Sequence, residues 1–219
     1  MSRNVMKILV NFPTRGRRKK FLETFSLYNE RAENIKDIHY LIKVDIDDNE
    51  MTGIEKEIKP YSKTSVVYGV SGSKISAVNR DIPTRWDLMV FGQDDMIPVQ
   101  GWDRLINETW AFSDTDGLSW LYDGYQERIC TQFAIGEKYY KRFGYVYHPS
   151  YKGNWCDNEM TDVALALNRL KFIKTNIFFH EHPINNVNID NDITYKNNDI
   201  YFMNDKKNYK ERKLKGFKK

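Results

Sequence analysis

Apolar and polar positions follow two periods along the first half of the chain. Lys7–Phe12 is a short run of β-formers that stops at Pro13, after which Phe21, Leu22, Phe25, Tyr28 and Ala32 recur on one helical face. Ile38–Val44 predicts a second strand, ended by Asp45-Ile46-Asp47-Asp48, and residues 50–59 predict a short helix. Thr64–Val70 predicts a third strand closed by Ser71-Gly72-Ser73, where Ser71 or Ser73 can cap a helix running to about Ile82. Trp86–Phe91 predicts a fourth strand, ending at Gly92-Gln93-Asp94-Asp95. Strands alternating with helices in this way predict an α/β fold, with a mostly parallel central sheet and helices on both faces.

The second half is less regular. Trp102–Phe112 and Glu137–Phe143 predict helices, and Leu118–Tyr122 and Cys130–Ile135 predict short strands. Gly144–Trp155 is a loop rich in aromatic and turn residues. Asp157–Leu170 predicts an amphipathic helix with Met160, Val163, Ala164, Leu167 and Leu170 on its apolar side. Ile173–Phe179 predicts a final strand, followed by His180-Glu181-His182-Pro183, and the Asn- and Asp-rich residues 184–205 read as loop. Neither a repeat nor an inter-domain linker interrupts the chain. The expected organisation is one domain over residues 1–205, with halves meeting near residue 98, and a tail over 206–219.

Composition narrows the class. A hydrophobic share of 41% against 29% charged residues in 219 describes a globule rather than a disordered chain. The sequence contains no run of 18 apolar residues, so no transmembrane helix is expected. Met6–Asn11 is too short and interrupted for a signal peptide. Cys130 and Cys156 are too few for a disulfide framework or a zinc ribbon, so a reducing, cytoplasmic compartment is the expectation. The net charge of +4 is unevenly spread: residues 206–219 hold eight Lys or Arg and one Glu, a charge of +7, which leaves −3 on the rest. Such a tail is a solvated, frayed end or a contact for a polyanion.

Ligands of open α/β sheets bind beyond the carboxyl ends of the strands, and the polar clusters of this sequence sit there. Pro13-Thr14-Arg15-Gly16-Arg17 follows the first strand, Asp45 with Asp47 and Asp48 the second, Ser71-Gly72-Ser73-Lys74 with Asn79 and Arg80 the third, and Asp94-Asp95 the fourth. Adjacent carboxylates repel unless a cation neutralises them, and oxygen ligands suit Mg²⁺ or Mn²⁺; the plainer reading of Asp94-Asp95 is a turn or helix cap. Asp45 can accept from a base N–H or a ribose hydroxyl, or close an Asx turn. Arg15, Arg17, Lys74 and Arg80 can hold diphosphate oxygens, while Arg18, Lys19 and Lys20 read as solvated surface. His180 and His182 point to opposite sides of an extended chain, so one of them can complete a metal shell and the other not. Asp157 and Glu159 are a general base beside a hydroxyl, or simply the acids that a helix start favours.

These residues resemble a GT-A fold glycosyltransferase of the family 2 type, and the small stand-alone GT-A enzymes of large DNA viruses and phages. The resemblance is carried by residues 13–17, Asp45, Ser73 through Arg80, Gln93-Asp94-Asp95, Gly101-Trp102-Asp103, Asp157-Asn158-Glu159 and His180-Glu181-His182, and spans about residues 6–183. It implies a single Rossmann-like domain, with a nucleotide-sugar half (1–98) and an acceptor half (99–205). Pro13, Thr14, Arg15, Arg17, Asp45, Ser73, Lys74, Asn79, Arg80, Gln93 and Asp94 would hold a nucleoside-diphosphate sugar, most simply a UDP-sugar. Asp94, Asp95 and His180 or His182 would hold Mn²⁺ or Mg²⁺. Asp157 or Glu159 would deprotonate the acceptor for an inverting attack, and Trp102, Tyr147, Tyr151 and Trp155 would stack on that acceptor. The family's Asp-x-Asp motif departs here, with Gln93 at its first acidic position, which makes Asp95 the safest ligand. The acceptor would be a glycan, a capsid protein or a hydroxymethylated DNA base, in host cytoplasm if the gene is viral. Two rivals are a sugar-1-phosphate nucleotidyltransferase, whose Gly-rich Arg and Pro-Lys layout residues 13–17 lack, and a non-catalytic DNA-binding protein, which leaves Asp45 and Ser73–Arg80 unexplained.

Overall fold

A computed structural model describes residues 5–61, 63–182 and 200–218. Seven strands form the central sheet: β1 (Ile8–Thr14), β2 (Ile38–Asp45), β3 (Thr64–Gly69), β4 (Leu88–Phe91), β6 (Leu118–Leu121), β7 (Phe133–Gly136) and β8 (Leu170–Ile173), with β5 (Met96–Pro98) and β9 (Phe178–His180) pairing separately. The sheet order is β3-β2-β1-β4-β7-β6-β8, and only β7 runs against its neighbours. The fold is therefore the expected α/β type with a mostly parallel sheet.

Strand parity sorts the core into two layers. Side chains alternate across a sheet. Ile8, Val10 and Phe12 of β1 pack with Phe21, Phe25 and Tyr28 of α1 (Arg18–Glu30), Ile58 of α2 (Glu55–Ile58) and Trp102 and Ile106 of α4 (Trp102–Thr109). Leu9 faces the other way, toward Ile75 and Val78 of α3 (Lys74–Asn79), Tyr139 of α5 (Glu137–Phe143) and Met160 and Ala164 of α6 (Cys156–Ala166). Each large buried side chain contributes about 1.5–3 kcal/mol, so both layers stabilise the sheet between its helices.

Several boundaries differ from expectation. β1 continues through Pro13 to Thr14 because its pairing with β4 stops at Asn11, leaving the proline's nitrogen on an unpaired side. α3 stops at Asn79 rather than about Ile82, and α4 stops at Thr109 rather than Phe112. The helix expected to reach Leu170 ends at Ala166; Leu165 and Leu167 are exposed, and Leu170 begins β8. The single strand expected over Ile173–Phe179 is instead the end of β8 and the start of β9. Of the expected loop over 184–205, residues 184–199 lie outside the described residues. Phe202–Leu214 forms helix α7, so the expected frayed tail is corrected. Lys213 pairs with Asp162 at 2.8 Å, and Arg212 makes two 2.7 Å bonds to Glu159 on α6.

Candidate functional site

The strand order turns at β1: β2 and β3 lie to one side and β4 to the other. The crevice beyond the carboxyl ends of β1 and β4 is thus a topological switch point, where open α/β sheets bind ligands. Gly92 closes β4 against β1, donating its N–H to Asn11 O at 2.9 Å. A Cβ at Gly92 would lie 2.5 Å from the Phe12 ring, so only glycine lets the two strand ends approach this closely.

Asp94 and Asp95 follow at once, both buried. The Asp94 backbone carbonyl accepts from Thr24 Oγ1 of α1 at 2.8 Å, and its carboxylate takes Arg17 Nη1 at 2.8 Å. Burial and the neighbouring Asp95 push the Asp94 carboxyl above its ordinary range, with Arg17 opposing. β5 pairs Met96 with His180 of β9, which carries that imidazole to Asp95: Nε2 lies 3.7 Å from Asp95 Oδ2. On the other side Nδ1 lies 3.3 Å from Oδ2 of Asp123, a buried residue just after β6. Burial works against a charged imidazole here, but the two carboxylates outweigh it and raise the His180 pKa to about 9. Burial likewise works against a charged Asp95, yet the bond to His180 and its charge hold that carboxyl well below its ordinary range. His182, with its ring centroid 5.1 Å from that of His180, is lowered to about 4 by burial and by the His180 charge.

Asp94 and Asp95 suit a hard divalent ion, whereas the His180 ring, charged between Asp95 and Asp123, has no lone pair to offer while it keeps both protons. Among the described residues, however, no three His, Cys, Asp or Glu side chains converge as a metal cage. Arg17 holds Asp94, and Asp123 holds His180. The donor set fits an ion that takes most of its ligands from elsewhere, such as a polyoxyanion, rather than an ion enclosed by protein.

The remaining candidates divide between crevice and scaffold. Lys74 is exposed at the start of α3, within electrostatic reach of Asp95, His182 and Asp157. Arg15 bonds Asp45 at 2.7 Å and Asp47 at 2.6 Å, which holds its guanidinium above its ordinary pKa. Asp45 therefore lies at the expected strand end but against a cation. Ser73 is the N-cap of α3, closing a capping box with Ser76. Arg80 donates to Val44 O and Ser71 Oγ, and Asn79 clamps the backbone of Val146 and Tyr147. Gln93 bonds Gln132 at 3.1 Å, and Pro13 and Thr14 end β1. Beside Arg17 opens a cavity of about 640 Å³, lined in part by Lys20, Thr24, Ile97 and Glu181.

The start of α6 lies within electrostatic reach of Lys74 through Asp157. Asp157 accepts a hydrogen bond from Asn158 N at 2.9 Å, and burial pushes its carboxyl above the ordinary range, with that bond and Lys74 opposing. Glu159 is differently placed: buried, it takes both Arg212 nitrogens and the Tyr151 hydroxyl, each at 2.7 Å. That carboxylate is fully engaged, which corrects its candidacy as a base. The stacking candidates are corrected as well. Trp102 is fully buried and donates to Tyr28 O, while Tyr147 and Tyr151 are core residues. Trp155 is covered by α7 through Phe202 and Tyr209.

Sequence reasoning missed Asp123. Its signal was there, in the Asp123-Gly124 turn after a predicted strand, a fifth polar cluster of the same kind. Asp205 and Arg212 carried no such signal, because an Asn- and Asp-rich stretch reads as loop and a basic run as solvated whether or not they dock.

No protein-family model matches the sequence, and no curated protein sequence matches it. The fold does match solved structures. A mannosyltransferase from Pyrobaculum calidifontis, in complex with GDP-Man and Mn²⁺, is similar over 81% of this chain at TM-score 0.63 and 14% identity. S. aureus TarS 1-349 is similar over 81% at TM-score 0.63 and 13% identity, and its complex with UDP-GlcNAc over 80% at TM-score 0.60 and 12% identity. This chain spans 57%, 61% and 58% of those three chains. At such identity the likeness is one of fold.

Proposed function

We propose that the chain is a glycosyltransferase that moves a sugar from a nucleoside-diphosphate donor to an acceptor hydroxyl. The observation that carries this reading is the cluster of buried Asp94 and Asp95 with Arg17 and His180 beyond the carboxyl ends of β1 and β4, at the topological switch point of the sheet. Lys74 acts electrostatically on both Asp95 and Asp157, and we assign the donor diphosphate to Arg17, Lys74, Asp94 and Asp95 and the acceptor side to Asp157. UDP- and GDP-sugars are the donors to try first, since neighbours of the same fold were solved with UDP-GlcNAc and GDP-Man.

The chemistry follows from the groups. Asp157 takes the proton of the acceptor hydroxyl, whose oxygen attacks the anomeric carbon in line and inverts it. The bond to the diphosphate oxygen breaks, and the electron pair leaves with the nucleoside diphosphate. Lys74 and Arg17 stabilise the charge that builds there. A bound Mn²⁺ or Mg²⁺, held by Asp95 with Asp94 and His180 or His182 as further candidates, would supply further charge stabilisation on the diphosphate. Asp45 at the end of β2 and Arg15 just after β1, paired with each other in the free protein, exchange that ion pair for contacts with the nucleoside. The acceptor is a hydroxyl of a glycan, a protein or a modified base.

The test is a panel of nucleoside-diphosphate sugars with Mn²⁺, read by hydrolysis and by thermal stabilisation. One donor should be hydrolysed by the wild type and not by Asp95→Ala. A panel in which no donor is hydrolysed or stabilises the protein would sink the reading.

A further inference from the structure

We infer that α7 is a clamp that fixes the start of α6, and that Asp205 and Arg212 are positioning residues for Asp157; the inference rests on the role given to Asp157 above. Asp205 is almost fully buried on α7. Its Oδ2 accepts from three consecutive backbone N–H groups, Lys152 at 3.2 Å, Gly153 at 2.9 Å and Asn154 at 2.8 Å, and its Oδ1 also accepts from Lys152 at 3.2 Å. Three successive amides aimed at one point form a nest for an anion. Here the anion belongs to the chain itself and comes from about fifty residues downstream.

The next residue, Trp155, is the N-cap of α6 and has φ 61°, a left-handed conformation that a bulky side chain adopts only when its surroundings impose it. Those surroundings are α7. Phe202 and Tyr209 pack on the indole with ring centroids 5.7 and 5.3 Å away, and Lys206 Nζ lies 5.5 Å over it. One turn further along, Arg212 holds Glu159 with two nitrogens while Tyr151 bonds the same carboxylate. Asp157 lies between these two fastenings and has neither for itself. A base that must meet an acceptor proton within hydrogen-bond distance depends on the angle at which its helix begins, and misplacement of about 1 Å can cost 10²-fold. Arg212 and Asp205 fix that angle without touching the crevice.

Two measurements on the full chain test the clamp. In the wild type, the amides of Lys152, Gly153 and Asn154 should be protected from hydrogen exchange to the level of the α7 amides, as one unit. Exchange at the rate of an open loop would overturn the clamp whatever the activity. In Asp205→Asn the nest loses its negative charge, and the amide nitrogen that replaces Oδ1 sets N–H donors against the Lys152 N–H. Hydrolysis of the donor found in the panel, with water as acceptor, should then fall at least tenfold in kcat, with donor KM within twofold. Unchanged kcat in Asp205→Asn beside an inactive Asp157→Asn would overturn it. If the wild type hydrolyses no donor, the glycosyltransferase reading falls, and the wild-type exchange pattern still decides whether Asp205 fastens the loop. Because that pattern needs no variant, a misfolded Asp205→Asn leaves the inference testable.

Discussion

Two side chains are buried against their own charge, and each makes a prediction with a definite sign. The folded protein binds the Asp157 proton more tightly than the unfolded chain does, since burial raises its pKa. Stability from this group therefore falls as pH rises through the interval between the unfolded and folded values. Asp157→Asn should raise Tm at neutral pH while lowering turnover about 10²–10⁴-fold, and the wild-type kcat should be lost as pH falls through a value above the ordinary aspartate range. A melt and a pH–rate profile check both. Lys43 is the opposite case. It is 1% exposed, its Nζ donates to Val78 O at 2.9 Å, and burial, then the charge of Arg80, lowers its pKa to about 7. Between about 7 and the ordinary lysine value of 10.5 the unfolded chain binds the extra proton, so stability rises with pH there. Lys43→Met should be more stabilising at pH 6 than at pH 10, and chemical denaturation at the two pH values measures the difference. Asp95→Ala needs no titration argument: transfer should disappear with the fold intact, and EDTA should mimic it if an ion is held there.

At the scale of elements, the close approach of β1 and β4 is the most sensitive junction. Gly92→Ala drives a methyl into the Phe12 ring and should cost about 1–3 kcal/mol, read from denaturant unfolding, with donor binding weakened because Asp94 and Asp95 follow directly. This junction also explains what was legible in the sequence. Strands β1 to β4 could be read because each is bounded by its own polar cluster at its carboxyl end. The second half was harder. Leu167 and Leu170 fall on the face that Met160 and Val163 begin, so the periodicity runs on past Ala166, where the helix stops and the chain turns into β8. β5 and β9 are three residues each, too short for any period, yet their pairing delivers His180 to Asp95. Trp102 and Tyr151 looked like stacking residues because an aromatic side chain in a sequence does not say whether its face meets a ligand or a core.

For the whole molecule, the uneven charge turns out to be an internal join. Arg212 and Lys213 face Glu159 and Asp162, while Lys207 stays exposed. Removing residues 200–219 would leave the Glu159 carboxylate buried without its guanidinium, and should cost about 3–5 kcal/mol, visible as a lower Tm. The Lys213–Asp162 pair is exposed enough for salt to screen it, so salt alone should not reproduce that loss. The position of β1 between β2 and β4 carries a last consequence, for kinetics. Ile8 meets Ile38 across about 30 residues of chain but meets Leu88 across about 80, so closing the second loop costs roughly 0.9 kcal/mol more entropy. The β1–β2 seam should form first and the β1–β4 seam, with the crevice at its end, later. A nucleotide that binds the crevice would then find nothing to hold in the folding transition state. It should leave the refolding limb of a chevron unmoved and act only by slowing the escape from the native state.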